Sequence, residues 1–166
     1  VTPNAATDKG PILSNLLLGS NSTGPILGYA DKNKIKLLTE YLNRPEIKQL
    51  FPADLEFHWS FKPDEEKGQK NSSTVGKFKL FGIKKIGNQD AAPLDGSVVT
   101  NASAQPDPKG EINVSLSMNN EGARIWADMT TKAANNGNRE IAIALDGEIV
   151  SAPYVINPIT GGNSSI

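Results

Sequence analysis

The sequence predicts an α+β domain, a mixed and mostly antiparallel sheet packed with two or three helices. Three observations predict it. Apolar residues alternate with polar ones at Leu55, Phe57, Trp59 and Phe61, and again at Ile112, Val114, Leu116 and Met118. A period of two is that of a strand with one buried face. Ile35, Leu38 and Leu42 recur at helical spacing, as do Gly122, Ile125, Trp126, Met129 and Ala133. Finally, Asp146-Gly147 separates the runs Ile141–Leu145 and Glu148–Val150. That pattern predicts a C-terminal hairpin with a two-residue turn of positive φ, which Asp tolerates and Gly prefers.

The elements follow in order. Residues 1–28 are rich in Pro, Gly, Asn, Ser and Thr and read as an extended leading segment or linker, in which Ile12–Leu18 forms a short helix or strand. Residues 29–166 read as a single α+β domain. Asp31 is placed to cap a helix that ends at Asn43-Arg44-Pro45. Pro45 then opens a second short helix, Pro45 to Leu50. The strand Leu55–Phe61 leads into a polar loop, Pro63 to Thr74, and a second strand covers about Lys77 to Ile86. Ala91 to Gly110 is turn-rich, with a short extended piece at Ser97 to Thr100. After the third strand, Asn119 caps a helix running to about Ala134, with Glu121 suited to the positive end of its dipole. Asn135-Asn136-Gly137 supplies a left-handed stop. Pro153 ends the hairpin ladder or lies on an edge.

Composition excludes several functions. Among 166 residues, Lys+Arg 17 nearly balances Asp+Glu 18. No basic surplus exists to neutralise phosphates, so nucleic acid is not the expected partner. With no Cys, neither a disulfide scaffold nor thiolate chemistry is available. No apolar run approaches the roughly 20 residues that span a bilayer. The chain starts at Val1 rather than Met and stops at Ile166 just after a Gly-Gly pair. Both ends are expected to be cuts in a longer protein.

A search for reactive groups finds little, so no catalytic, cofactor or metal residues are expected and the chain is read as non-enzymatic. His58 is the only His. It lies on a strand face with Ser60, which makes a base–nucleophile pair conceivable and an exposed strand residue the commoner case. A lone His without Cys does not build a His/Cys metal site. Asp64-Glu65-Glu66 reads as a solvated loop, because paired acid–base carboxylates need differing environments. Gly19 to Gly24 has phosphate-loop spacing but continues Pro25-Ile26, without the Lys and hydroxyl that grip phosphates and magnesium. Asp31-Lys32-Asn33 opens like a calcium loop but lacks its Gly and closing Glu. Asn21-Ser22-Thr23 and Asn71-Ser72-Ser73 are chance glycosylation triplets of an Asn- and Ser-rich chain. Trp59 and Trp126 lie on apolar faces and read as core.

The C-terminal half carries a more specific succession. Val114–Met118 leads into Asn119-Asn120-Glu121-Gly122-Ala123; then come Leu145-Asp146-Gly147, Ser151-Ala152-Pro153 and Ile159-Thr160-Gly161-Gly162. Their order and spacing resemble the first large periplasmic domain of SecD, the protein-export membrane protein. The resemblance covers about Asp95 to Ile166. Gly28-Tyr29-Ala30, Tyr41-Leu42-Asn43 and Pro52-Ala53-Asp54-Leu55 are similar to SecD–SecF fusions of Bacteroidetes-type bacteria.

The resemblance implies a protein on the periplasmic side of the bacterial inner membrane, in a multi-pass complex related to the resistance–nodulation–division transporters. Its partners would be unfolded preprotein and, through the full-length protein, SecF and the SecYEG translocon. The chain would be mostly the head of that domain, with residues 151–166 approaching the hinge to the base. Gly161 and Gly162 are natural hinge candidates. Asn119, Glu121, Gly122, Ala123, Asp146, Gly147, Ser151, Ala152 and Pro153 are expected to be structural, Gly122 by permitting close packing at the helix start. The competing expectation is a periplasmic structural or small-ligand-binding domain of a membrane transporter.

Overall fold

The computed structural model describes residues 13–20, 24–65, 73–86, 91–106, 110 and 112–165. The chain divides into two compact units, Val1–Ile83 and Lys84–Ile166. Ile26–Ala30, which spans the boundary expected at residue 28, is a paired strand of the first unit.

The first unit holds α1 (Leu13–Leu16), β1 (Leu18–Gly19), β2 (Ile26–Ala30), α2 (Lys32–Leu42), α3 (Pro45–Lys48), β3 (Leu55–Trp59) and β4 (Phe78–Lys84), which runs to the boundary. Its sheet has the order β1-β2-β4-β3. β2 runs antiparallel to both neighbours, with Leu18 opposite Tyr29 and Ala30 opposite Phe78. Gly28 permits the first pairing. A Cβ there would lie 2.7 Å from both Leu17 Cγ and Leu18 O. The helical period of α2 buries Leu38 and Leu42, which form a core with Ala30, Trp59 and Leu80. The Trp59 indole N–H donates to Thr39 Oγ1 at 2.9 Å, so its polar edge is satisfied within the core.

The second unit opens with a 3-10 turn, Gly96–Val98, and continues with β5 (Val99–Pro106), β6 (Ile112–Met118), α4 (Asn120–Asn135), β7 (Ile143–Leu145), β8 (Glu148–Ser151) and β9 (Asn163–Ser165). Instead of one sheet there are two here, β5-β6-β9 and β7-β8. All their pairings are antiparallel. α4 buries Gly122, Trp126, Thr130 and Ala133 on one face. Gly137 at φ 81 and Asn138 at φ 57 turn the chain after α4. Trp126 and Trp59 are both core residues. No helix among the described residues is long and apolar enough to cross a membrane.

Candidate functional site

The motif residues of the second unit gather at two places. The first is the passage from β6 into α4, which has no loop. Met118 ends the strand, and Asn119 caps the helix with its Oδ1 accepting the Gly122 N–H at 2.8 Å. Two backbone bonds lock the passage. Asn119 N–H donates to Val98 O at 2.8 Å, and Met118 N–H donates to Gly162 O at 2.9 Å. Glu121 is exposed in the first helical turn, where a carboxylate favours the dipole.

Glycine is required twice in this junction. A Cβ on Gly122 would stand 2.7 Å from Val98 Cβ and Cγ2 and 3.2 Å from Met118 Cβ. Gly162 is buried at φ +69, and a Cβ there would meet Ala123 Cβ at 2.9 Å. Gly162 is thus closely packed against Ala123. Its neighbour Gly161 is exposed with open space around it.

The second place is the ribbon of β7 and β8. Leu145 and Glu148 pair across Asp146 at φ 51 and Gly147 at φ 84. Both φ values are those a two-residue hairpin turn needs. Ser151 pairs with Ile143 at the far end. Beyond it Ala152 is half-buried, Pro153 O accepts the Ile141 N–H at 3.2 Å, and Glu140 bridges Tyr154. The Glu140 carboxylate, bonded to the Tyr154 hydroxyl, raises that phenol above its ordinary value. Leu145, Val150, Tyr154 and Ile156 are exposed, so the apolar run ending at Leu145 does not finish in the core.

Sequence reasoning missed Thr130. It is fully buried, donates to Trp126 O at 2.8 Å and accepts the Ile159 N–H at 2.9 Å. One hydroxyl thereby ties the segment before Gly161 to the middle of α4. A threonine at a helical core position carries no signal of that long-range bond.

The reactive groups weighed from sequence stand apart. His58 contacts Glu56 Oε2 at 3.2 Å. Ser60 is buried, with its hydroxyl donating to Lys62 O and accepting the Lys79 N–H; it is a strand bracket, and the His58–Ser60 pair is not formed. Asp64 is not the solvated carboxylate expected. Its side chain is 10% exposed, 2.7 Å from Lys79 Nζ, and accepts from Thr74 Oγ1. Glu66, residues 1–12, Asn21-Ser22-Thr23 and Asn71-Ser72 lie outside the described residues. No group of three or more His, Asp or Glu among the described residues is placed to hold a metal.

Asp31 occupies the N-cap position of α2 without a capping bond. Its carboxylate binds Lys77 Nζ at 2.7 Å and Lys34 Nζ at 3.4 Å instead. These three residues border a cleft of about 190 Å³ with Leu16, Leu17 and Tyr29, well below the roughly 300–1,000 Å³ of a drug-sized site. The Lys77 bond, then the Lys34 bond, hold the Asp31 carboxyl below its usual 3.8. A lowered folded value stabilises above the unfolded pKa and is lost as pH falls through the folded one. The Asp31 carboxyl resonance should therefore titrate below 3.8, and Lys77→Met should move the midpoint upward. A midpoint unmoved by that substitution would exclude the ion pair.

The family model for the SecDF P1 head subdomain matches residues 82–166. The chain belongs to that family. The match begins two residues before the second unit and takes in the β6–α4 junction and the β7–β8 ribbon. A protein translocase subunit SecD from Rhodothermus marinus is 31% identical over 166 residues, 99% of this chain and 24% of the relative. One from Acidaminococcus fermentans is 44% identical over 73 residues, 44% of this chain and 17% of the relative. The chain spans about a quarter or less of these relatives. A solved structure of SecDF, a membrane component that enhances protein export, is 33% identical, covering 46% of this chain and 33% of that one at a TM-score of 0.41.

Proposed function

We propose that this chain is the head-bearing part of a SecD-type periplasmic domain, and that it assists Sec-dependent export by contacting an unfolded preprotein and moving with it. The observation that carries this reading is the P1 head match over residues 82–166. The identity with a SecD along 99% of the chain supports it for the first unit too. The parent protein would sit in the bacterial inner membrane with this part on the periplasmic side, alongside SecF and SecYEG. The domain itself would be non-enzymatic, using energy coupled through proton-conducting transmembrane helices elsewhere in the protein.

The surface chemistry of the chain is compatible with that task. An unfolded client has no fixed sequence, so its holder needs apolar surface and backbone hydrogen-bonding edges. Exposed Leu145, Val150, Tyr154 and Ile156 offer the first. The near-neutral charge, 17 cationic against 18 anionic residues, neither attracts nor repels a chain of arbitrary composition.

The test uses the full-length protein reconstituted with the translocon in vesicles under a proton gradient. Deleting residues 84–166 should leave the protein in the membrane and remove its stimulation of preprotein export. Unchanged stimulation would overturn the proposal.

A further inference from the structure

β5 forms one edge of its sheet, with β6 its partner among the described residues. The hydrogen bonds fix which way each backbone group points. Met118 N–H donates to Gly162 O, toward β9, while Asn119 N–H donates to Val98 O, toward β5. Backbone directions alternate along a strand. Ser117, Ser115 and Asn113 therefore address β5. In the observed register they lie opposite Asn101, Ser103 and Gln105, which face β6 in return. Ala102 and Ala104 consequently aim their N–H and C=O groups outward, away from the sheet.

Natural edge strands are guarded by charge, Pro, a bulge or brevity. β5 is eight residues long and carries no charge. Its register shift lies between Val99 and Asn101, and its Pro is the last residue. The stretch Asn101–Gln105 between them is regular, exposed and open.

We propose that this edge accepts an extended polypeptide as an added strand, and that the added strand is a segment of unfolded preprotein. The inference rests on the function proposed above and specifies where and how the client is held. Three features select this occupant. The open groups are backbone donors and acceptors, which another backbone complements without regard to sequence. The neighbouring side chains are Ala, Ser, Asn and Gln, which impose neither a charge nor a deep pocket. Two outward residues give at most about four ladder bonds, well short of the roughly ten direct hydrogen bonds of a typical stable interface with a second copy. Weak, reversible pairing suits a chain that must move on.

Photo-crosslinkers placed at Ala102 and at Ile156 of the full-length protein, engaged with a translocation-arrested preprotein, test this. Ala104→Pro deletes an outward N–H and leaves the ladder to β6 intact, so the variant keeps its fold; Ala104→Ser retains the N–H. Adducts with preprotein should form at position 102. They should fall about tenfold in Ala104→Pro, the scale of a lost ladder bond and a blocked register, and stay unchanged in Ala104→Ser. Adducts at Ile156 alone, with Ala104→Pro inert, would overturn the edge while leaving the proposed function standing. Absence of adducts at both positions would remove the client contact itself. Adducts at position 102 to a second copy, or to another segment of the same protein, would show the edge already occupied and overturn the inference.

Discussion

Replacing Leu38 with Ala is expected to destabilise the first unit by about 2–5 kcal/mol, in the upper part of that range. Leu38 has no exposed surface and sits among Ala30, Leu42, Trp59 and Leu80. The cost of such a truncation depends on how far the surroundings collapse into the space left. Here the largest neighbour is held back. The Trp59 indole is tied to Thr39 Oγ1, and that hydroxyl is itself bonded to Ile35 O at 2.8 Å. A shift of Trp59 into the cavity would break the first of these bonds. Leu37, the next residue along α2, is 44% exposed, and Leu37→Ala should change stability by no more than about 0.5 kcal/mol. Denaturant unfolding compares the two variants, with amide exchange in β2 and β4 reporting on the first unit. Equal effects would mean that the face of α2 is misassigned. Since a domain holds only about 5–15 kcal/mol in total, Leu38→Ala alone should bring this unit close to its stability limit.

That face of α2 was legible because its period is carried by three aliphatic residues at helical spacing. β3, β6 and α4 were legible for the same reason, as was the Asp146-Gly147 turn, whose chemistry is local. The missed strands lack such signals for different reasons. β2 contains Gly28 and follows Pro25, so its composition is that of a loop. It becomes a strand because Leu17 and Leu18 approach so closely that only glycine fits opposite them. β5 is exposed from Thr100 to Pro106; with neither face buried, no hydrophobic alternation can mark it. β9 is Asn-Ser-Ser and exists through its pairing with β6. These are tertiary determinants, outside the reach of a window along the chain.

The candidate site divides in the same way. The motif Asn119 to Ala123 was readable as a cap and a helix start. Its convergence with Val98 and Gly162 was not, because nothing in spacing brings residues 98, 122 and 162 together. Asp31 shows the converse failure. A residue type suited to capping was read as a cap, and the nearby ammonium of Lys77 took the carboxylate instead. A charge-assisted bond is roughly twice as strong as a neutral one, so the ion pair prevails over the cap when both are in reach.

The second large effect is expected at Gly122, the third residue of α4. Gly122→Val should destabilise the second unit by about 3 kcal/mol, at the severe end of overpacking, and Gly122→Ala by about 1–2 kcal/mol. Opposing terms decide the alanine case. Alanine gains up to about 1 kcal/mol in helix propensity over glycine. Against this, its Cβ would stand 2.7 Å from both Val98 Cβ and Cγ2. A Cβ is fixed to its backbone and has no rotamer that escapes, so relief requires moving Val98 itself. Val98 is buried and its carbonyl accepts the Asn119 N–H that fixes the helix cap; moving it loosens the junction the new side chain crowds. The strain therefore exceeds the propensity gain. Val98→Ala removes the Cγ2 contact and keeps the Cβ one, so combining it with Gly122→Ala should recover part of the loss as a favourable coupling in a double-mutant cycle. Gly161→Ala meets open space and should lie within about 0.5 kcal/mol of the parent. Thermal and denaturant melts of these chains decide the point. A Gly122→Ala chain as stable as the parent would mean that α4 begins farther from Val98 than this junction requires, and the cluster of family residues around it would lose its physical reason.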